Sequence, residues 1–182
     1  MTIARMFDAS VPPAEPYPGC SAVAGYIGGA TPHVWTLEEW KRFGHLRQLP
    51  IWVYGAPGQA FGQGVAAAKA AMALGWRAHA EHRRAIVLDM ETSTDAEFVA
   101  AFARALHATG FSCWVYGSAS TIHSLPDPDG EWIADWDQVP DLMSAVAHQY
   151  APDVPWQGGV VDLSVISVAA LVHLGRGPRR AA

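Results

Sequence analysis

The chain has 182 residues, of which 51% are hydrophobic and only 16% charged, a composition typical of a globular protein with one sizeable core. This composition excludes an intrinsically disordered chain, and the formal net charge of -5 gives no basic surface for nucleic acid or anionic lipid. No apolar run reaches the ~18 residues that a bilayer-spanning helix needs.

The first ten residues, MTIARMFDAS, lack both the long apolar region and the small-residue cleavage site of a secretory signal. The sequence therefore predicts synthesis in the cytoplasm without a signal peptide. Cys20 and Cys113 lie far apart and form no metal or redox spacing, which favours free thiols over a disulfide. Residues 1–175 are predicted to form a single domain, and the basic segment 176–182 a flexible tail.

Short apolar, β-rich runs alternate along the chain with helix-like runs. The predicted strands are Ile3–Phe7, Ala22–Ile27, Ile51–Tyr54, Ala85–Met90, Ser112–Tyr116, Trp132–Ala134, Ser144–His148 and Val160–Val165. The predicted helices are Leu37–Leu46, Gln63–Glu81 and Asp95–Thr109. Thr36 and Glu39 have the spacing of a capping box before the first helix. Thr94 or Asp95 can cap the last helix, and Gly110 is placed to end it.

Strands that are apolar on both faces and separated by helices predict a parallel sheet covered by helices. Such a sheet is either open and doubly wound or closed into a barrel. A proline-rich loop, and no glycine-rich phosphate turn, follows Phe7-Asp8-Ala9-Ser10, which weakens the nucleotide-binding alternative. Loops expected at Ser118–Gly130 and Pro152–Gly159 leave few helices in the second half. We therefore predict an α/β fold, an irregular TIM-like (β/α) barrel with eight strands and fewer than eight helices.

Two acids end the strand in Ala85-Ile-Val-Leu-Asp-Met-Glu-Thr92. Asp89 and Glu91 are two residues apart, so they share a face with Ala85 and Val87, which would point into a barrel. They also lie at the carboxyl end of the strand, where barrels of this type keep their active sites. Repulsion between the two charges should raise one pKa, which leaves one proton donor beside one anion. A proton donor beside an anion is the pair of groups that glycoside cleavage requires, and we favour this interpretation. The alternative is a structural role, in which the acids form ion pairs with Arg or Lys or cap the following helix.

Other polar and aromatic residues fall at the same predicted end of the barrel. Asp8 ends the first strand, and Asp162 lies on the last one. Aromatic rings stack on the flat faces of sugars, and phenol hydroxyls can hydrogen-bond them. The aromatic residues that end or follow a predicted strand are Tyr26, Tyr54, Tyr116, Trp136 and Tyr150. Together these residues predict an open groove for carbohydrate.

Several of these segments, taken in order, resemble the family-25 glycoside hydrolases, the peptidoglycan muramidases (lysozymes) of bacteria and their phages. They are Phe7-Asp8-Ala9-Ser10, Leu88-Asp-Met-Glu91, Val115-Tyr-Gly-Ser118, Trp132-Ile-Ala-Asp-Trp136, His148-Gln-Tyr150 and Val161-Asp-Leu-Ser164. The first half is more similar still to the actinobacterial "glycoside hydrolase-like" relatives of that family. The segments that carry this second resemblance are Gly25-Tyr-Ile-Gly-Gly29, Thr36-Leu-Glu-Glu-Trp40 and Leu49-Pro-Ile-Trp-Val53.

The resemblance implies a role for each acid. Glu91 matches the general acid, Asp89 the carboxylate that assists at the anomeric carbon, and Tyr116 the active-site tyrosine. Asp8 and Asp162 match the remaining acids at the carboxyl end of the family's barrel.

The sequence also departs from the family. His148 stands where the family often has Trp, and Gly117 where it has Thr. Ile27-Gly-Gly-Ala-Thr-Pro replaces the family's Lys-Ala-Thr-Glu-Gly motif in a loop that shapes the substrate groove.

The leading hypothesis is a glycoside hydrolase that cuts β-1,4 bonds of peptidoglycan or a related amino-sugar polymer. The alternative is a non-catalytic carbohydrate-binding or structural barrel module, held by protein partners in a phage particle or secretion machine. No cofactor or metal is implied; His79 and His82 have a helical metal spacing but no third ligand. Without an export signal, an active lysin would reach the cell wall by phage-type release or by delivery in a particle.

Overall fold

The fold is a closed barrel, seen in a computed structural model that describes residues 2–55, 57–77, 83–125, 128–142 and 145–175. Eight strands follow one another around this barrel in sequence order. They are β1 (Ile3–Asp8), β2 (Ala22–Gly29), β3 (Arg47–Val53), β4 (Arg84–Asp89), β5 (Phe111–Ser118), β6 (Gly130–Ala134), β7 (Ala147–Trp156) and β8 (Gly159–Ser167). The predicted irregular (β/α) barrel is confirmed, and the open doubly wound alternative is wrong.

Helices follow five of the strands in the described part of the chain. They are α1 (Leu37–Arg42), α2 (Ala60–Ala73), α3 (Ala96–Ala108), α4 (Ala119–Ile122) and a 3₁₀ helix (Val168–His173). None of these helices is long and apolar enough to cross a lipid bilayer. Cys20 and Cys113 are both free thiols. Several predictions fall outside the described residues. They are the helix end at Glu81, the strand start at Ser144, the spacing of His79 and His82, and the flexible tail 176–182.

The capping residues of α1 and α3 are those that the sequence predicts. The bounds of two helices differ from the prediction, because α1 ends at Arg42 and not at Leu46, and the helix predicted over Gln63–Glu81 spans Ala60–Ala73. Thr36 and Glu39 form the complete capping box of α1. The Asp95 carboxylate accepts a hydrogen bond from the Phe98 N–H at the start of α3, and Gly110 follows its end with φ 83°. A left-handed φ of this kind suits glycine, which has no Cβ to clash with the preceding turn.

The segment after Gln149 differs from the prediction, because Pro152–Gly159 is not a loop. β7 continues to Trp156, a tight turn at Gln157 and Gly158 has positive φ at both residues, and β8 then returns antiparallel. The outer half of β7 pairs with β8 alone, so Pro152 and Pro155 can lack an N–H there without breaking a second ladder. Because β8 runs backwards, its first residues reach the same barrel end as the last residues of β1–β7.

Side chains alternate between a core inside the barrel and a core under the helices. The inner core takes one side chain or more from every strand, including Met6, Ala24, Leu49, Val87, Trp114, Trp132, Ala147 and Ile166. The outer core joins the opposite strand faces to the helices. Ala85 and Val87 belong to the inner core, whereas Ile86 and Leu88 belong to the outer one. The predicted inward face of β4 is therefore confirmed.

The amino-terminal end of the barrel is covered by the segment after β8. Ala170 and Leu174 pack on the inner core, and Gly175 exchanges two backbone hydrogen bonds with Gln48 at the start of β3. Access to the barrel interior is therefore from the carboxyl end of the parallel strands.

Two glycines in α2 should respond in opposite ways to substitution by alanine. A Cβ on Gly64 would lie 2.7 Å from both Ala105 Cβ and the Phe102 carbonyl oxygen of α3, whereas one on Gly62 would meet nothing closer than 4.0 Å. We expect Gly64→Ala to lower the free energy of unfolding by about 1–3 kcal/mol through overpacking. Gly62→Ala should raise it by up to about 1 kcal/mol through helix propensity. Urea unfolding of both variants checks this prediction, and similar effects at the two sites would contradict the close approach of α2 to α3.

Candidate active site

Strand register brings the predicted acids to one end of the barrel. Asp8, the last residue of β1, is directly paired with Asp162 on the antiparallel β8. Asp89, the last residue of β4, is paired with Val53 of β3 and Tyr116 of β5. Directly opposite residues on neighbouring strands have Cβ atoms only about 5 Å apart. The charged neighbours that act on Asp8 are Asp162, Asp89 and Glu91, and we call these four acids the acidic cluster.

Asp8 is the most enclosed member of the acidic cluster, with 4% of its surface exposed. Burial raises its pKa well above the ordinary value because it penalises the charged form, and the neighbouring charge of Asp162 adds to this effect. Asp89 and Glu91 raise the pKa of Asp8 further. All four carboxyl groups are therefore close enough to interact.

Asp89 is 5% exposed and carries the raised pKa that the sequence predicts for one member of its pair. Burial is the largest cause, the charge of Glu91 comes second, and together they raise the pKa of Asp89 to about 7. The Glu91 N–H donates to Asp89 Oδ1 over 3.2 Å, which partly offsets the rise. Desolvation, more than the repulsion expected from the spacing, sets the protonation of this group.

Asp162 is held by the backbone of β7. Its Oδ1 accepts a hydrogen bond from the Asp153 N–H over 2.7 Å, while burial and nearby acids raise its pKa. Across the described residues, no member of the acidic cluster forms an ion pair with Lys or Arg. The alternative explanation, that these acids serve structural ion pairs with Lys or Arg, therefore has no support in the described residues.

Two of the predicted tyrosines face the acidic cluster. Burial and the charges of all four acids raise the pKa of Tyr26 and of Tyr116. The Tyr116 hydroxyl lies 3.3 Å from Glu91 Oε1 and 2.8 Å from Gln149 Oε1. Both phenols stay protonated at any ordinary pH, so they act as hydrogen-bond donors.

Gln149 lies at the centre of the site, although it is not among the residues predicted from the sequence to form it. It is 2% exposed, and its Oε1 accepts hydrogen bonds from Tyr116 and from Trp136 Nε1, the latter over 2.9 Å. Its Nε2 lies 3.5 Å from both Asp8 Oδ1 and Asp162 Oδ2. The alternation of side chains along β7 predicts its position, because Gln149 shares the inward face with Ala147, and a buried amide needs hydrogen-bond partners.

A cavity of about 490 Å³ opens beside the acidic cluster. Its lining includes Glu91, Ser118 and Asp135 together with Trp136, whose side chain is 57% exposed. Glu91 is the member of the acidic cluster that lines this cavity, and it is exposed there. A molecule in the cavity could contact the Glu91 carboxyl and the face of an indole ring.

Two predicted aromatic residues do not join the site. Tyr54 packs edge-on against Phe98 of α3, with ring centroids 4.8 Å apart. The charged and polar neighbours that act on Tyr150 are Arg5, Cys20 and Tyr17, and none of the acids is among them. The prediction that Tyr54 and Tyr150 line the groove with Tyr26 and Tyr116 is therefore corrected. An inward residue lies three positions before each, Ile51 and Ala147, so both fall on the outward face.

His148, one of the departures from the family pattern, supports the loop that carries Trp136. It is fully buried, and its two ring nitrogens lie 2.7 and 2.8 Å from the carbonyl oxygens of Asp141 and Asp135. The imidazole thus ties β7 to two points, Asp135 and Asp141, of the segment that follows β6. Among the described residues, no group of three or more His, Cys, Asp and Glu side chains has the arrangement of a metal site.

Residues 19–167 match the family described as Rv2525c-like, glycoside hydrolase-like domain. The chain belongs to this family. The match includes three of the four acids, and Asp8 precedes it. Among curated proteins, none matches the chain.

Solved structures with the same fold include a muramidase, a family 25 glycosyl hydrolase and an endolysin. The muramidase from Acremonium alcalophilum has a TM-score of 0.63 and 13% identity, over 93% of this chain and 99% of that one. A family 25 glycosyl hydrolase from Bacillus anthracis has a TM-score of 0.59 and 12% identity, over 85% and 82% of the two chains. The CTP1L endolysin has a TM-score of 0.63 and 15% identity, over 93% and 69%. At these identities the likeness shows a shared glycoside hydrolase-like fold, that of lysozyme and muramidase enzymes.

Proposed function

We propose that this glycoside hydrolase-like domain is an active hydrolase that cuts β-1,4 bonds in peptidoglycan or a related amino-sugar polymer. The observation that carries the proposal is the acidic cluster, which lacks basic partners in the described residues and whose member Glu91 lines a cavity with an exposed indole. The family match and the muramidase among the structural neighbours support the same class of substrate. The cell wall is the site of action that such a substrate implies.

Glu91 is the proton donor in this proposal. Its carboxyl lines the cavity, so it can reach a glycosidic oxygen, whereas Asp89 is almost completely enclosed. Donation of the Glu91 proton to the leaving oxygen breaks the bond between that oxygen and the anomeric carbon, and positive charge develops on the sugar ring. The tyrosine hydroxyl next to Glu91 can then donate to the new carboxylate.

Asp89, which interacts with Glu91, supports the developing charge in this proposal. In its ionised form it stabilises the positively charged sugar, and its bond from the Glu91 N–H fixes its orientation. Asp8 and Asp162 lie next to each other on the barrel wall, where they tune the charge of the pair and can hold the attacking water.

Trp136 provides the surface for the sugar ring. Its indole N–H is bound to Gln149, so the ring has a fixed position while more than half of the side chain stays exposed. Sugars present flat C–H faces that stack on such rings. Trp136 is thus the contact for the residue next to the bond that is cut.

Incubation of the purified chain with peptidoglycan sacculi and with soluble chitin oligosaccharides tests the proposed function. We expect reducing ends to appear with time, and mass spectrometry of the products to identify the bond that is cut. Saturable binding of the same glycans without any release of reducing ends would reject hydrolysis. That result would instead select the non-catalytic carbohydrate-binding module.

A further inference from the structure

The hydroxyl of Tyr116 has two acceptors within reach but only one proton. Gln149 Oε1 is 2.8 Å from the phenol oxygen, and Glu91 Oε1 is 3.3 Å from it. A phenol can donate to one acceptor at a time. Because the pKa of Tyr116 is raised by burial and by the acids, the proton stays on the phenol and only its direction can change.

Trp136 determines which end of the Gln149 amide faces Tyr116. An indole N–H can only donate, so the group 2.9 Å from Trp136 Nε1 must be the amide oxygen. The amide nitrogen then faces Asp8 and Asp162, to which it can donate. As long as Trp136 holds this orientation, Gln149 accepts from Tyr116 and cannot donate to it.

We propose that Gln149, oriented by Trp136, is a positioning residue that holds the Tyr116 hydroxyl away from Glu91 until Glu91 loses its proton. The inference rests on the proposed function, in which Glu91 gives that proton to the leaving sugar oxygen. While Glu91 is a neutral acid, the hydroxyl donates to Gln149, the nearer acceptor. Once Glu91 is a carboxylate, the hydroxyl rotates and donates to it, since hydrogen bonds to charged acceptors are stronger. Tyr116 gains and loses no proton in this sequence.

Other ionisable groups around Glu91 act on it whatever the direction of the Tyr116 hydroxyl. Those with an electrostatic interaction come from β1, β2, β4 and β8, and they are Asp8, Tyr26, Asp89 and Asp162. Asp135, from the segment after β6, lines the same cavity as Glu91. A test must therefore separate an effect that passes through the hydroxyl from one that passes through these charges. A double-mutant cycle makes this separation.

Titration of the Glu91 side-chain carboxyl by ¹³C NMR in the purified full chain tests the proposal. The Glu91 resonance is assigned by its absence in Glu91→Gln. Tyr116→Phe should raise the titration midpoint, because the carboxylate loses a donor. Gln149→Met should lower it by about one pH unit, because the hydroxyl has no competing acceptor. In the Tyr116→Phe background, Gln149→Met should cause no further shift.

Two tryptophan variants separate the role of Trp136 from a general loss of an indole. Trp136→Phe frees the Gln149 amide to turn its NH₂ toward Tyr116, so the Glu91 midpoint should fall as it does in Gln149→Met. Trp156→Phe is the matched control, because the Trp156 N–H bonds the Glu15 carbonyl at a different pocket and the midpoint should stay unchanged. Because Trp136 is exposed and Gln149 is buried, Trp136→Phe should fold even if Gln149→Met does not, and it then provides the test by itself.

The proposal is overturned if Gln149→Met shifts the midpoint equally with and without the Tyr116 hydroxyl, because the effect would then pass through Asp8 and Asp162. Shifts of the same sign in Tyr116→Phe and Gln149→Met would overturn it as well. The titration requires no substrate. A failure to cleave any glycan would therefore count against the proposed function and leave this test intact.

Discussion

Glu91→Gln is expected to lower kcat on a cleavable glycan by at least about 10²-fold, the usual contribution of a positioned proton donor. The change keeps the size and the hydrogen-bonding oxygen of the side chain but removes the acidic proton. Glu91 is exposed and lies after β4, so the barrel should keep its stability. The loss should therefore appear in kcat while KM changes little.

Glu97→Gln is the matched control for this experiment. Glu97 is an exposed glutamate in the first turn of α3, and it lines a separate pocket with Gly58, Gln59 and Phe98. The control should cleave glycan at the parental rate. Equal rates for Glu91→Gln and the parent would refute the assignment of the proton donor, and with it the mechanism proposed above.

The alternation of side chains on strands explains why the acids could be found from the sequence. Asp89 shares a parity with Ala85 and Val87, and its neighbour Leu88 has the opposite parity, so one strand suffices to point the acid inward. The same rule places the side chains of Tyr54 and Tyr150 on the outward face of their strands, away from the barrel interior. Position at a strand end fixes which end of the barrel a residue occupies, but parity fixes the face.

Two features of the site depend on tertiary contacts that no local pattern contains. Pro152 and Pro155 are typical of loops, and they are tolerated in β7 only because its outer half has one neighbouring strand. The antiparallel return of β8, which pairs Asp8 with Asp162, follows from that extension. The partners of Gln149 come from β1, β5, β8 and the segment after β6, so its central place appears only when the barrel closes.

Asp89→Asn should make the folded protein more stable at pH 8. The pKa of Asp89 is about 7 in the folded protein against 3.8 for the ordinary group, so the folded state binds its proton more tightly than the unfolded state. The resulting stabilisation is complete below pH 3.8 and is lost as the pH rises to about 7. Above that pH the wild type carries a buried charge whose cost has an upper limit of about 4 kcal/mol.

Asparagine removes this cost without removing the oxygen that accepts from the Glu91 N–H. Urea unfolding should therefore give equal free energies for Asp89→Asn and wild type at pH 4, and a higher value for the variant at pH 8. Asp137→Asn is the matched control, because Asp137 makes the same bond to an N–H two residues on but is exposed. A gain at pH 8 that also appears at pH 4, or in the control, would contradict the buried charge as its cause. Since Asp89 is assigned to charge stabilisation in the proposed mechanism, the same substitution should lower glycan cleavage. A variant that is more stable and less active is the combination expected when a carboxyl is kept for function at the expense of folding.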